Sequence, residues 1–455
     1  MKKFYEAEIA KIPGHICFYP SEMKNVGEID LINFGQHSCT AIVKRNPSVQ
    51  QNIVLSEDLA QALHFNENNT PLHLFVHERR LHLGPLVGIF SSGFTGIENK
   101  PVGERSGFFA NLLALKKTTG CIPYLFGEQH INWEDETIRG HVFLDGKWAI
   151  ETFPFPNAVY DRLPNRKTEN KDAMQEIKRK FQKDYVIPWY NPGFFNKWDV
   201  HERLAADPGA KPFLPETRPF DSFSSIETML SEYRQVYIKP INGSLGLGIH
   251  QIVYDSKEHW YYCRYKNEKN ENKLQRFPSL ESLMNHVFKG SPLDNFIVQQ
   301  GIPLLKYEKR SVDFRVHTNK DSDGNWQISA IAAKVAGPGS VTTHVKNGGT
   351  IKTLAELFPA EEEAQLAEKK LSEAALILSK SLEERMEGII AEIGFDLALD
   401  KDQHVWMFEA NSKPGRSIFS HPKLKEFEAL TRKLSIGYAI YLTEQSIAGT
   451  AGASR

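Results

Sequence analysis

The stretch "GFDLALDKDQHVWMFEANSKPG", Gly394 to Gly415, places three oxygen-bearing side chains where they could hold a hard cation. Two β-rich runs, "FDLALD" and "HVWMFEA", flank a turn at Lys401-Asp402-Gln403, so a hairpin can set Asp396 across from Glu409 on adjacent strands. Asn411 follows Glu409 by two residues, and the period-two alternation of a strand puts both on one face. This donor set suits Mg2+, which takes few carboxylates and fills its remaining positions with water and phosphate oxygens. An acidic hairpin can also be plain solvated surface. Glu409 lies in an otherwise apolar strand, however, which a surface reading does not explain.

A second stretch, "VYIKPINGSLGLGIHQI" from Val236 to Ile252, points to phosphate. A P-loop carries its lysine after the glycines, and a dinucleotide fingerprint opens a helix. Here Lys239 precedes the glycines, and Gly243, Gly246 and Gly248 lead into the β-rich "IHQIV". The expected structure is strand, glycine hairpin, strand. Such a hairpin can fold over a triphosphate, its bare backbone close to the oxygens and the lysine supplying charge. An ordinary hairpin turn is the alternative.

The elements that must position these groups follow from the patterning. Residues 1–82 alternate polar and apolar over short spans, "TAIVKRN", "QNIVLS" and "LHLFVH", and form a β-rich module. From 83 to 193 an apolar strand in "LHLGPLVGIFSSG", the helical "RSGFFANLLALKKTTG" and a second strand "CIPYLFG" predict an α/β domain with a parallel sheet. The hairpin "RGHVFLDGKWAIETF" continues it, turning at Asp145-Gly146. The Pro-, Asn- and Gly-rich "IPWYNPGFFNKWDV" then links to a mixed region over 194–445. Within it, Leu371, Ala375, Leu378, Leu382, Met386 and Ile389 recur at steps of three or four, the core stripe of one helix. The end of the chain, 446–455, is expected to be disordered.

Composition removes whole classes of function. The 455 residues exceed one ordinary core. Lys plus Arg number 55 against 56 Asp plus Glu, so a net charge of −1 gives no global attraction to nucleic acid or anionic lipid. No apolar run approaches the roughly 20 residues of a membrane span, and the basic start has no apolar run after it, so neither membrane insertion nor secretion is expected. The address is therefore read as cytoplasmic. Cys17, Cys39, Cys121 and Cys263 lack metal-binding or disulfide spacing and read as core residues.

Taken in order, the lysine before a glycine hairpin, "FIVQQGI", "DFR", "NGG" and the Asp…Glu-x-Asn hairpin ending in Pro-Gly resemble the ATP-grasp superfamily, over Lys197 to Gly415. More narrowly, "LGPLVGI" beside a β-rich module and "NPGFFNKW" leading into the grasp region resemble the YheC/YheD family of endospore coat-associated ATP-grasp proteins. The resemblance implies an α+β and α/β chain: the N-terminal module, a pre-ATP-grasp domain and two grasp lobes with ATP between them. It implies that Lys197 and Lys239 contact the α- and β-phosphates and that Gly243, Ser244, Gly246 and Gly248 form a lid. Backbone groups at Gln300 and Ile302 would read the adenine edge, and Gln299 would bond its exocyclic amine. Asp313 would lie near the ribose or hold the fold. Arg315 would brace the γ-phosphate or an acyl phosphate, the alternative being an ion pair with Asp313. Lys334 stands where relatives commonly have arginine and His344 where they have asparagine, a departure on the acceptor side, where Lys334 is read as catalytic. Asp396, Glu409 and Asn411 would hold Mg2+.

The activity implied is an ADP-forming, ATP- and Mg-dependent ligase that joins a small-molecule or peptide carboxylate to an amine through an acyl phosphate. A kinase on the same fold, and a spore-coat structural protein with a degenerate site, are the alternatives. Association with the spore coat and a homo-oligomeric state are both compatible with the resemblance.

Overall fold

A computed structural model describes residues 3–24, 26–46, 52–66, 68–243, 247–267, 269, 271–289 and 293–449. Four sheets carry the chain. The first has eight strands from residues 5–84, with Tyr5–Ala10 and Asn52–Ser56 paired in parallel near its middle. Alternation sends Ala7, Cys17, Ile32, Ile53, Leu55, Leu72, Leu81 and Leu83 inward, and this core is continuous with one face of the second sheet through Tyr124, Phe126, Phe153 and Phe155.

In the second sheet Leu86–Phe90 lies between Ile122–Phe126 and Ala158–Asp161, parallel to both. All three strands are buried throughout, as parallel strands covered on both faces must be, and this accounts for their unbroken apolar runs. The hairpin Thr137–Leu144 and Lys147–Pro154 extends the sheet antiparallel. Asp145 and Gly146 both have positive φ, 48° and 81°, the backbone that suits the twist of a two-residue hairpin loop.

The third sheet is antiparallel, in the order Thr217–Pro219, Phe296–Gln300, Gln235–Pro240, His250–Asp255, Trp260–Lys266, Asn272–Phe277. Helices Phe223–Tyr233 and Leu280–Val287 cover its back through Ile226, Met229, Leu230, Leu283 and Met284. The fourth sheet runs Thr350–Lys352, Trp326–Val335, Arg310–Lys320, Glu392–Leu399, Val405–Asn411. Helix Glu361–Arg385 covers its back with Ala367, Leu371, Ala374, Ala375, Leu378 and Leu382.

That helix is shorter than its apolar stripe predicts. Met386 turns extended (φ −93°, ψ 151°) and Gly388 takes φ 86°, so Met386 and Ile389 leave the helix, and Ile389 bridges instead to Tyr190. The final helix, Lys425–Ile447, packs Ile436, Tyr438 and Ile440 among Leu112, Leu113, Tyr160 and Tyr190, tying the second sheet to the fourth. It includes Ser446 and Ile447, expected in the tail; 450–455 lie outside the described residues.

Candidate functional site

The fourth sheet presents its functional side chains in rows across its open face. Along Arg310–Lys320, Val312, Phe314 and Val316 enter the core, so Ser311, Asp313, Arg315 and His317 project the other way. Register aligns Asp313 with Lys334, then Arg315 with Asp396, which is opposite Glu409, then His317 with Gly394, which is opposite Asn411. The expected placement of Asp396 across from Glu409 is thus what the hairpin adopts.

A β-bulge explains how Glu409 faces outward from an apolar strand. Asp396 pairs with Glu409 but Leu397 pairs with Met407, leaving Phe408 unmatched. Alternation therefore resets: Val405, Met407 and Ala410 are in the core, while Phe408, Glu409 and Asn411 face the cleft.

The third sheet closes the cleft from the other side. Tyr237, Lys239, Gln299 and Ile302 join Asp313, Lys334, Thr343, His344, Asp396, Phe408 and Glu409 around a space of about 890 Å3 that opens to solvent. Lys239 Nζ donates to Gln299 Oε1 and lies 5.3 Å from the Phe408 ring centroid and 5.6 Å from that of Tyr237. Gln299 Nε2 donates to Thr217 Oγ1 at 3.0 Å, so this amide is held at both ends. Gln300 ties the approach to the cleft: its N–H donates to Glu216 O at 2.8 Å and its Oε1 accepts from Glu216 N at 3.0 Å. Ile302 lies on the cleft wall.

Lys197 begins the helix Lys197–Ala205, capped by Asn196, and its Nζ donates to Glu409 Oε1 at 2.9 Å and to Gly243 O at 2.6 Å. One lysine thus joins the candidate metal carboxylate to the root of the glycine hairpin. At that root a Cβ on Gly243 would lie 2.5 Å from Pro240 Cγ, and Gly248 has φ 72°, so both positions require glycine. Ser244 and Gly246, expected in the lid, lie outside the described residues.

Electrostatics shift the ionisation of the cleft's charged groups. Arg315 grips Asp396 with two bonds, Nε to Oδ1 at 2.9 Å and Nη2 to Oδ2 at 3.1 Å. Lys334 Nζ adds contacts to Asp396 Oδ1 at 2.8 Å and Asp313 Oδ1 at 2.9 Å, and Thr343 Oγ1 donates to Asp313 Oδ2. Burial opposes ionisation of Asp396, but Arg315 and Lys334 outweigh it and hold the carboxyl well below its usual range. Asp313 is pushed up by burial and by Asp396, against the pull of Lys334. Removal from water lowers Lys239 to about 8, despite Glu409.

The alternative of an Arg315–Asp313 ion pair is replaced by Arg315–Asp396. The reason is reach: register partners on neighbouring strands lie about 5 Å apart at Cβ, closer than alternate residues of one extended strand. Asp313 instead anchors Lys334 and Thr343.

Residues that sequence reasoning missed are Phe408 and Tyr237 around Lys239, Thr343 on Asp313, and Arg166, whose Nη1 donates to Asn242 O at 3.3 Å beside the lid. Tyr237 was within reach of the alternation rule, two residues before Lys239 on its strand. The others depend on a bulge or on long-range contact, which leave no local periodicity.

The arrangement fits a nucleotide and a hard cation. Among the described residues no three His, Cys, Asp or Glu groups cluster as a metal site. Asp396, Glu409 and the Asn411 amide form instead a sparse oxygen set that needs ligand oxygens to complete it, as Mg2+ does. Asp396 is already in the ionised form a metal requires.

Solved structures to which this chain is similar include the D-alanine–D-alanine ligase from Bacillus anthracis (TM-score 0.44, 12% identity, 80% of this chain and 99% of that one) and VanG D-Ala:D-Ser ligase from Enterococcus faecalis (TM-score 0.45, 13% identity, 79% and 99%). The endospore coat-associated protein YheC of Bacillus subtilis (strain 168) is 22% identical over 272 residues, 59% of this chain and 73% of that protein. The endospore coat-associated protein YheD of the same strain is 40% identical over 439 residues, 96% of both chains. With residues 186–442 also matching the YheC/D-like ATP-grasp model, the chain belongs to the YheC/YheD family of ATP-grasp proteins.

Proposed function

We propose that the protein is an ADP-forming ligase that uses ATP and Mg2+ to join a carboxylic acid to an amine. The observation that carries this reading is the charge balance of the cleft. Four cations, Lys197, Lys239, Arg315 and Lys334, face three carboxylates, Asp313, Asp396 and Glu409, on walls that a polyphosphate could lie between.

In this reading an oxygen of the acid attacks the γ-phosphorus and ADP leaves. The resulting acyl phosphate is attacked at its carbonyl carbon by the amine, and phosphate departs with the acid's oxygen. Lys197 and Lys239 bind the α- and β-phosphates, Arg315 and Lys334 face the transferred group, and donors fixed in advance stabilise charge as it develops. When bound, Mg2+ supplies neutralisation of phosphate oxygens, and Asp396, Glu409 and Asn411 are the residues that would hold it. The glycine hairpin, rooted by Lys197 on Gly243 O, covers the phosphates and excludes water that would hydrolyse the intermediate. Gln299 and Ile302 line the end that receives the base. A cytoplasmic protein that associates with the spore coat, as its relative's name says of YheD, is the proposed setting.

The test is oxygen tracing. Acids and amines are screened for ADP release, and the active acid is then supplied with 18O in its carboxylate. One 18O in the released phosphate and an amide product by mass spectrometry are expected. Phosphate retained on the acceptor would make the protein a kinase and overturn the ligase. Glu409→Gln should lower turnover on the order of 100- to 1000-fold while leaving thermal unfolding close to wild type, because the part-exposed amide still accepts from Lys197 but loses its charge. Wild-type turnover in Mg2+ would remove Glu409 from the metal set.

A further inference from the structure

Beside the cleft, where the second sheet meets the fourth, lies an arginine cluster whose charge is only partly balanced among the described residues. The parallel strands Leu86–Phe90 and Ala158–Asp161 end together, releasing Ser91–Ser92 and Arg162 at their C-terminal edge. In open α/β sheets this edge is where ligands bind, since the loops there diverge and leave a crevice. From it Arg162 Nη1 reaches Glu392 Oε2 of the fourth sheet at 3.2 Å. Glu392 also accepts from the Tyr160 hydroxyl at 2.6 Å and from Arg416 Nη2 at 3.0 Å. Phe108 lies between the two guanidiniums, 5.2 Å from Arg162 and 5.1 Å from Arg416.

Arg105 is the third cation. Its Nη1 donates to Ser91 Oγ at 3.0 Å and its Nη2 to Ser92 O, both neutral acceptors. Burial and the nearby Arg162 lower its pKa, the mark of a cation short of compensation. The surrounding charges are already matched. Arg432 pairs with Glu428 at 2.9 Å, and Asp161 and Glu169 are held by Lys413 with Lys178 close by. Among the described residues, Arg162 and Arg416 therefore share the carboxylate of Glu392, and Arg105 beside Arg162 has only neutral acceptors.

Two further groups point to a ligand. His317 is fully buried, near Arg315, Arg416 and Arg162, and neither ring nitrogen has a hydrogen-bond partner among the described residues; Arg416 Nε is likewise buried without one. Glu392, Gly394 and Asp396 lie on one face of a single strand. At about 3.3 Å per residue the cluster is therefore about 13 Å along the strand from the candidate metal carboxylate. Arg162 and Arg416 keep 13% and 12% of their side chains exposed, so part of each still touches solvent.

We propose that this arginine cluster takes part in binding the acid substrate of the neighbouring cleft and selects an acid carrying a second anionic group, held by Arg105 with Arg162 and Arg416. The inference rests on the ligase reading for the fate of the acid, but its test is binding, which does not depend on turnover.

The measurement is calorimetric titration of matched pairs, glutarate against pentanoate and 3-phosphoglycerate against glycerate, into the full chain saturated with Mg2+ and a slowly hydrolysed ATP analogue. The dianion of at least one pair should bind at least tenfold tighter than its partner, and the pair with the larger gap names the second group as carboxylate or phosphate. Arg105→Gln removes no carboxylate's partner; it should cut the gap below threefold with analogue affinity unchanged, and Arg105→Lys should restore part of it. Equal binding within both pairs, or a gap that survives Arg105→Gln, overturns the proposal. Loss of 18O transfer with the gap intact would instead strike the ligase reading and leave the anion site standing.

Discussion

Two lysines, Lys413 and Lys239, meet their charge in different ways. Lys413 sits at the junction of the second and fourth sheets, 3% exposed, with Asp161 at 2.6 Å and Glu169 at 2.9 Å. Lys239, in the cleft, bonds the neutral amide of Gln299 and rests against two aromatic rings. The junction lysine is matched by carboxylates that belong to the fold. The cleft lysine is held in reserve by groups that cannot neutralise it. For these two lysines, the charge balanced by two carboxylates belongs to the architecture and the one set against neutral groups points to a ligand.

The contrast predicts opposite outcomes for removing each charge. Lys413→Met leaves Asp161 and Glu169 buried and uncompensated, so chemical denaturation should show a loss of about 3–5 kcal/mol. A loss below about 1 kcal/mol would mean that Lys178 alone satisfies those carboxylates and would blur the distinction.

A smaller effect sharpens it through pH. Lys239 is lowered from its ordinary 10.5 to about 8 by removal from water. Between those values the unfolded chain binds a proton that the folded chain has released, so the unliganded protein gains stability from this group as pH rises through the window. Phosphate favours the ammonium, so nucleotide affinity falls over the same window, at most about tenfold per pH unit. Thermal unfolding and analogue titration between pH 7 and 10 should therefore move in opposite directions. Affinity that is flat across the window would place Lys239 away from the phosphates.

The smallest expected effect is steric. A Cβ at Gly394 would lie 2.4 Å from Pro414 Cβ and 3.2 Å from Arg315 Nη1. Gly394→Ala should cost about 1–3 kcal/mol in denaturation, and displacement of Arg315 from Asp396 should lower turnover as well. Unchanged turnover would show that the Arg315–Asp396 pair tolerates movement.

What the sequence revealed and what it hid divide along the range of the interactions. The Asp396–Glu409 pairing was legible because one short turn fixes the register of a hairpin, and the buried parallel strands were legible in their unbroken apolar runs. The strands on either side of the glycine run were legible and pair antiparallel, while Ser244 and Gly246 lie outside the described residues. The bulge at Phe408 was not, since one unmatched residue is invisible in a strand's composition, yet it is what turns Glu409 out of the core. The partner of Arg315 was misjudged because Asp313 is near in sequence and Asp396 is near in space. Arg105, Arg162 and Arg416 come from three distant segments, and only the assembled sheets bring Arg162 and Arg416 to one ring, Phe108, and Arg162 close to Arg105.

The most direct test of the cleft as a nucleotide site is calorimetric titration of a slowly hydrolysed ATP analogue with Mg2+ into wild type and Lys239→Met at pH 7. The account predicts affinity about 30- to 150-fold weaker in the variant, a charge-assisted phosphate contact being worth roughly 2–3 kcal/mol, with thermal stability equal to or above wild type. Unchanged affinity in a folded Lys239→Met protein would contradict it.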